Sequence, residues 1–178
     1  MLSLRYWDDP VLSEVCQPVH ELEFGSQQLR DLGQTMVGVM NSYDGFGLAA
    51  PQVGLATRMF VMHFPESKRT KEPLVVCNPT LQLHGDNVLM REGCLSLPDI
   101  FEQVTRQRFA TMHYFQPDGL EREIELSELD ARVAQHETDH LNGIMFFDRS
   151  HMSKQVRKAV LRKWDKIKSN YPREHGKA

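Results

Sequence analysis

The stretch Gln135-His136-Glu137-Thr138-Asp139-His140-Leu141 sets two imidazoles and a carboxylate at the spacing that water activation by a metal ion requires. On a helix four residues advance about 400°, so His136 and His140 lie one turn apart on nearly the same face. Glu137 lies about 100° round from His136, close enough to take a proton from water beside a shared ion without ligating it. The competing readings are chance, in a chain with eight histidines and 24 acids, or a satisfied core histidine. The setting favours metal. Leu129, Val133, His136 and His140 recur at i, i+4, i+7 and i+11, which puts both rings on the stripe expected to carry core residues. A buried imidazole pair needs partners, and one shared cation supplies them.

Two histidines leave a metal short of a stable site, so a further protein ligand must come from elsewhere. Cys94 is the best candidate. It stands in Arg91-Glu92-Gly93-Cys94-Leu95-Ser96-Leu97-Pro98, where Gly93 permits tight backbone and Pro98 enforces extension, as in a rigid loop that aims a thiolate. Burial as a small hydrophobe is the competing reading for Cys94, and the better one for Cys77 in Val75-Val76-Cys77. Glu92 and Asp139 could orient imidazoles, although exposed acids are the default expectation for both.

The elements that must position these residues follow from pattern. Asp9-Pro10 and Gln17-Pro18 mark turns or extension in an N-terminal stretch expected to wrap the surface. Leu29, Leu32, Met36, Val39, Met40 and Tyr43 keep helical spacing after Ser26, a candidate N-cap, and predict a helix over about 26–42. Strands are expected over 58–64, 73–77 and 80–84, with a charged connection over 65–72. A hairpin is expected from 109–115 and 120–126 across Gln116-Pro117-Asp118-Gly119. Ser127-Glu128-Leu129-Asp130 resembles a capping box for the histidine helix, predicted over about 128–141, and Asn142-Gly143 stops it. A last helix starts near Ser153, with Val156, Val160, Trp164 and Ile167 on one apolar face; residues 171–178 read as a loose tail.

At 178 residues, 40% hydrophobic and 25% charged, the chain suits one domain over 1–178. No apolar run is long enough to span a bilayer, and the first ten residues do not read as a signal or transit peptide, so no membrane partner and a cytoplasmic location are expected. Three cysteines, Cys16, Cys77 and Cys94, do not make a disulfide framework. The net charge of −3 hides an asymmetry: from His151 onward nine Lys/Arg face two acids, a net of +7, leaving −10 on residues 1–150. The basic end and the acidic body can therefore have different partners.

Gly45-Phe46-Gly47-Leu48-Ala49-Ala50-Pro51-Gln52, Glu92-Gly93-Cys94-Leu95-Ser96 and Gln135-His136-Glu137-Thr138-Asp139-His140 resemble the three signature motifs of the peptide deformylases, in the same order. The resemblance runs from Asp9-Pro10-Val11-Leu12 to the terminal helix. It implies an α+β fold, with mixed or antiparallel β-sheets packed around a central metal-binding helix, an N-terminal helix and a basic C-terminal helix. It implies removal of the N-formyl group from the initiator methionine of new polypeptides. Cys94, His136 and His140 would bind one divalent ion, usually Fe²⁺ in this family, with Zn²⁺, Ni²⁺ or Co²⁺ able to substitute. Glu137 would be the acid/base, and Gln52 with the Leu95 N–H would bind the formyl oxygen; fixed donors of this kind are worth about 2.7–4 kcal/mol each.

Gly45, Phe46, Gly47, Leu95, Val133 and His136 would line the methionine pocket. Phe46 departs from the Ile or Val usual between these glycines, and Phe101 stands where many relatives carry a basic residue. Arg106 follows the family pattern, with a structural role as its alternative. The basic helix invites ribosomal RNA, against a plain solvated face, and the chain is expected to be a monomer or weak dimer. Two rivals remain: a zinc peptidase drawing its third ligand from His151, and a deformylase-like protein that only binds.

Overall fold

A computed structural model describes residues 2–63, 72–149 and 153–171. Phe64, most of the 65–72 connection, His151, the Val156 side chain and residues 172–178 lie outside this set.

Four α-helices and five strands are present among the described residues: α1 (Gln27–Ser42), β1 (Gly47–Ala49), β2 (Met59–Met62), β3 (Leu74–Cys94), β4 (Leu97–Phe115), β5 (Glu121–Ser127), α2 (Glu128–Leu141), α3 (Phe146–Arg149) and α4 (Lys154–Ile167). The strands form one antiparallel sheet in the order β1-β2-β3-β4-β5, so the fold is α+β. No parallel pair of strands occurs in it; among the described residues a parallel bridge joins Gln17 to Thr57.

Strand β2 shows how the layers form. Side chains alternate across a strand, and all four β2 residues are buried. Met59 and Val61 join a core with Leu29, Met36 and Met40 of α1, whereas Phe60 and Met62 join a second core with Ala131, Ala134 and Leu141 of α2. The sheet is thus covered on both faces, which is why Met59-Phe60-Val61-Met62 reads as an unbroken apolar run. Each such side chain contributes roughly 1.5–3 kcal/mol of burial.

Ser26 caps α1 through its side chain, which accepts from the Leu29 N–H. Ser127 takes the N-cap position of α2 without a side-chain capping bond, so the expected capping box is not formed. Helix α2 ends where expected, with Gly143 at φ +68°. The strands expected over 73–77 and 80–84 belong to one longer strand, bent at register shifts between Cys77 and Thr80 and between His84 and Asn87. Residues 91–98, read as a loop, are instead the ends of β3 and β4 about a tight turn at Leu95-Ser96. The hairpin from β4 to β5 forms across 116–120, with Gly119 at φ +87° and the Gln116 N–H bonded to Leu120 O at 3.0 Å.

The N-terminal segment is not a surface wrap. Leu4, Tyr6, Leu12, Cys16 and Val19 are buried, and the N–H groups of Arg5 and Trp7 donate to Gln52 O at 2.7 Å and Ser96 O at 2.8 Å. This segment therefore braces the backbone behind two of the expected site motifs. Helix α4 docks on it through buried Val160 and Trp164, whose indole N–H donates to Trp7 O at 2.6 Å. No described helix is long and apolar enough to cross a membrane.

Candidate metal centre

Helix α2 delivers both imidazoles from one face, with ring centroids 5.0 Å apart. Cys94, the last residue of β3, meets them at the hairpin turn: its Sγ lies 3.2 Å from His140 Nε2. One ligand atom from each of Cys94, His136 and His140 lies within 4.8 Å of the others. A thiolate and two imidazoles form a donor set suited to a divalent transition metal, and the cluster is shielded, His140 being 1% exposed. The residues fit a metal ion. The outer contact agrees, since His136 Nδ1 lies 3.1 Å from Glu92 Oε2, which orients the ring as carboxylate partners of metal-bound histidines do.

Leu129 departs from the expected stripe. It is 39% exposed and lines a cavity of about 660 Å³ beside the cluster. The structure brings Gly45, Phe46, Gly47, Gln52, Leu95, Val133, His136 and Glu137 to the same cavity. Phe46 stands at its rim, half exposed. Phe101 is also half exposed there, under the Arg91 guanidinium at 4.6 Å.

Gln52 is 1% exposed. Its Oε1 accepts the Ala49 N–H at 2.8 Å, and its Nε2 points to Ser96 Oγ at 3.2 Å and Cys94 Sγ at 3.4 Å. Glu137 packs on β1, where a Cβ added to Gly47 would stand 2.7 Å from Glu137 Cδ; only glycine admits the carboxylate there. Glu137 Oε2 is buried with no hydrogen-bond partner among the described residues. Burial raises the Glu137 carboxyl to about 7 against the opposing charges of His136 and Arg106. A carboxyl poised near neutrality can both take and give a proton at ordinary pH.

Glu92 and Asp139, expected as exposed acids, are buried instead. Glu92 receives Arg106 through two bonds, Nε to Oε1 at 2.7 Å and Nη2 to Oε2 at 3.0 Å, and pairs with Arg132. Arg106 also reaches Asp139 Oδ2 at 2.8 Å, and Arg149 holds Asp139 Oδ1 at 3.0 Å. Burial pushes Glu92 up, but hydrogen bonds from His136 and Arg106 overcome it and hold the carboxyl down at about 2. Burial also opposes charge on His136, yet hydrogen bonds with Cys94 and Glu92 and the charges of Cys94 and Glu137 raise it to about 10; His140, buried beside it, is pushed well below the ordinary range. Arg106 is thus a buried strut between the strand that ends in Cys94 and the helix that carries the histidines.

With this geometry in view, the family comparison is decisive: the model described as polypeptide deformylase matches residues 1–157. The chain belongs to the polypeptide deformylase family. A peptide deformylase from Bartonella henselae is 39% identical over 159 residues, covering 89% of this chain and 88% of the relative. The crystal structure of a peptide deformylase from Thermotoga maritima superposes with TM-score 0.78 at 37% identity, covering 85% of this chain and 99% of that one. One from Synechococcus elongatus, solved in complex with actinonin, gives TM-score 0.81 at 34% identity, covering 91% and 85%.

Sequence reasoning missed three residues around this deformylase site. Arg132 precedes His136 by one helical turn, and its guanidinium also donates to Val104 O at 3.1 Å and Val88 O at 2.7 Å. Its place on the histidine face was the available signal. Arg149 carried none. Gln135, adjacent to the first histidine, bonds both backbone groups of Gln107: its Nε2 donates to the carbonyl at 2.8 Å and its Oε1 accepts the N–H at 3.2 Å. Strand β5 ends opposite Phe109, so the Gln135 amide continues the hydrogen bonding of β4 beyond the last strand pair.

Proposed function

We propose that this deformylase removes the N-formyl group from the formylmethionine of nascent polypeptides at the Cys94, His136 and His140 centre, releasing formate. The observation that carries this reading is the cluster of Cys94, His136 and His140 beside a cavity that Cys94, His136, the Gln52 amide and the Glu137 carboxylate line. A bound divalent ion would act as a Lewis acid and lower the pKa of water. Glu137 takes a proton from the attacking water and returns it to the departing amine, as its raised pKa and unpaired Oε2 support. Gln52 Nε2 and the Leu95 N–H donate to the formyl oxygen as it gains charge. Gly45, Phe46, Gly47, Leu95 and Val133 hold the methionine side chain, with Phe46 narrowing the mouth.

Fe²⁺ is the native ion in this reading, consistent with the soft thiolate ligand, and Zn²⁺, Ni²⁺ or Co²⁺ substitute for it. The α+β unit acts as one catalytic domain, with α2 as its metal-binding helix, in the cytoplasm, where its three free thiols stay reduced. It works as a monomer or weak dimer. Helix α4 contacts ribosomal RNA, supported by Lys154, Lys158, Arg162 and Lys166, exposed and spaced by one turn along a single face. Salt-sensitive pelleting with ribosomes checks that contact.

The test of the reaction is formate release from formyl-Met-Ala-Ser by anaerobically prepared, iron-loaded protein. Turnover lost in Glu137→Ala at matched metal content is expected. Cleavage of an internal peptide bond without formate would support a zinc peptidase instead.

A further inference from the structure

The cavity at the metal centre continues past the residues that the methionine reading uses. Its lining also takes in Leu4 and Tyr6 from the N-terminal segment, Tyr43 at the end of α1, Leu97 and Ile100 of β4, and Tyr171 after α4. Four regions of chain converge on this lobe. The floor is apolar, with Leu4, Leu97 and Ile100 buried. The walls are phenolic: the Tyr6 and Tyr171 ring centroids lie 5.3 Å apart, and Tyr43 lines the same cavity.

Tyr171 is held in place. Its hydroxyl donates to Asp99 Oδ2 at 2.7 Å, and its ring stacks on Trp164 at 5.6 Å. Asp99 is gripped a second time, its carbonyl accepting Lys163 Nζ at 3.1 Å. The Asp99 carboxylate is thereby engaged by the Tyr171 hydroxyl. A lobe with an aromatic wall and an aliphatic floor recognises a ring or a long apolar side chain, and offers little to a small polar one. The family match ends at residue 157, so Tyr171 reaches the cavity from outside the matched region.

We propose that Tyr6, Tyr43 and Tyr171 form a second subsite that takes an aromatic or large apolar side chain of the formylated peptide downstream of its methionine. The inference rests on the deformylase reading above, because continuity with the catalytic cavity makes the peptide itself the occupant. Tyr171 is the specificity-determining residue: it supplies one ring wall, and Asp99 and Trp164 position it.

The experiment measures kcat/KM of iron-loaded, full-length enzyme on formyl-Met-Phe-Ser, formyl-Met-Ser-Phe and formyl-Met-Ser-Ser. The wild type is expected to favour Phe over Ser at one of the two positions by roughly two- to tenfold, the range of a ring–ring contact. Tyr171→Ala should abolish most of that preference, whereas Tyr171→Phe, which keeps the ring and loses the bond to Asp99, should retain it. Equal turnover of the three peptides by the wild type, or a Phe preference unchanged in Tyr171→Ala, would overturn the proposal. A uniform loss on all three peptides leaves the ratio unchanged and counts against it. Absence of formate release from every peptide would overturn the underlying deformylase reading, and the subsite with it.

Discussion

Gln52 and Ala49 face each other across one turn: the Ala49 N–H donates to Gln52 Oε1 at 2.8 Å, which turns the Gln52 NH₂ toward Cys94 Sγ. The amide cannot flip without setting a buried N–H against an NH₂ group. Gln52→Glu keeps the acceptor and removes the donor. We expect kcat on a formyl-Met peptide to fall about 10²- to 10³-fold at matched metal content, as for loss of a single fixed oxyanion donor. Steady-state kinetics with metal analysis of the same sample checks it.

Gly47 controls the position of Glu137. In Gly47→Ala the new Cβ would meet the carboxylate at Cδ, and either β1 or Glu137 must move. A displacement near 1 Å costs on the order of 10²-fold in rate. A kcat that stays within about twofold of wild type would show that Glu137 has slack, contrary to expectation.

Arg106 neutralises two buried carboxylates at once. Replacing it by leucine leaves Glu92 to Arg132 and His136, and Asp139 to Arg149. Breaking a buried ion pair from one side costs about 3–5 kcal/mol, so urea unfolding should shift by that amount. Arg106→Lys should recover only part, because an ammonium cannot span both acids with the fork of a guanidinium.

Burial raises the Cys77 thiol from 9.0 to about 12 and the Cys16 thiol to about 11. A folded pKa above the unfolded one contributes stability that is complete below about pH 9 and disappears as pH rises through about 12. The urea midpoint should therefore decline across that interval. Cys77→Ala should flatten the decline without abolishing it, since Cys16 and Tyr6 titrate in the same range. After treatment with a chelator, the native protein at pH 8 should react with a thiol reagent through Cys94 alone, and through all three cysteines in denaturant.

Helix α1 and the β4–β5 hairpin were readable because each presents an apolar face to a core and a polar face to water. The histidine helix, buried over most of its length, was readable instead from the spacing of His136 and His140 and the Asn142-Gly143 stop. Residues 85–92 were not. They extend β3 while exposing most side chains, including Leu89 at 56%, so no alternation marks them as strand. Buried Glu92 and Asp139 were misjudged for a different reason: their partners Arg106, Arg132 and Arg149 come from separate elements, and an ion pair between distant residues leaves no local pattern. The N-terminal segment lacked periodicity because it is fixed through backbone bonds to Gln52 and Ser96. The residues that the fold gathers at the cavity were legible, while the struts that aim them were mostly not.

The Gln135 amide on Gln107 also fixes a register. Strand β4 begins three residues after Cys94, and its Gln107 backbone is clasped by the side chain immediately before His136. A slip of α2 by one residue would therefore unfasten two hydrogen bonds as well as swing both imidazoles away. Thiolate and rings are gauged against the same length of backbone, as jaws are on one slide. An incoming ion meets a span already set, which leaves the choice among metals to donor chemistry more than to adjustment of the protein.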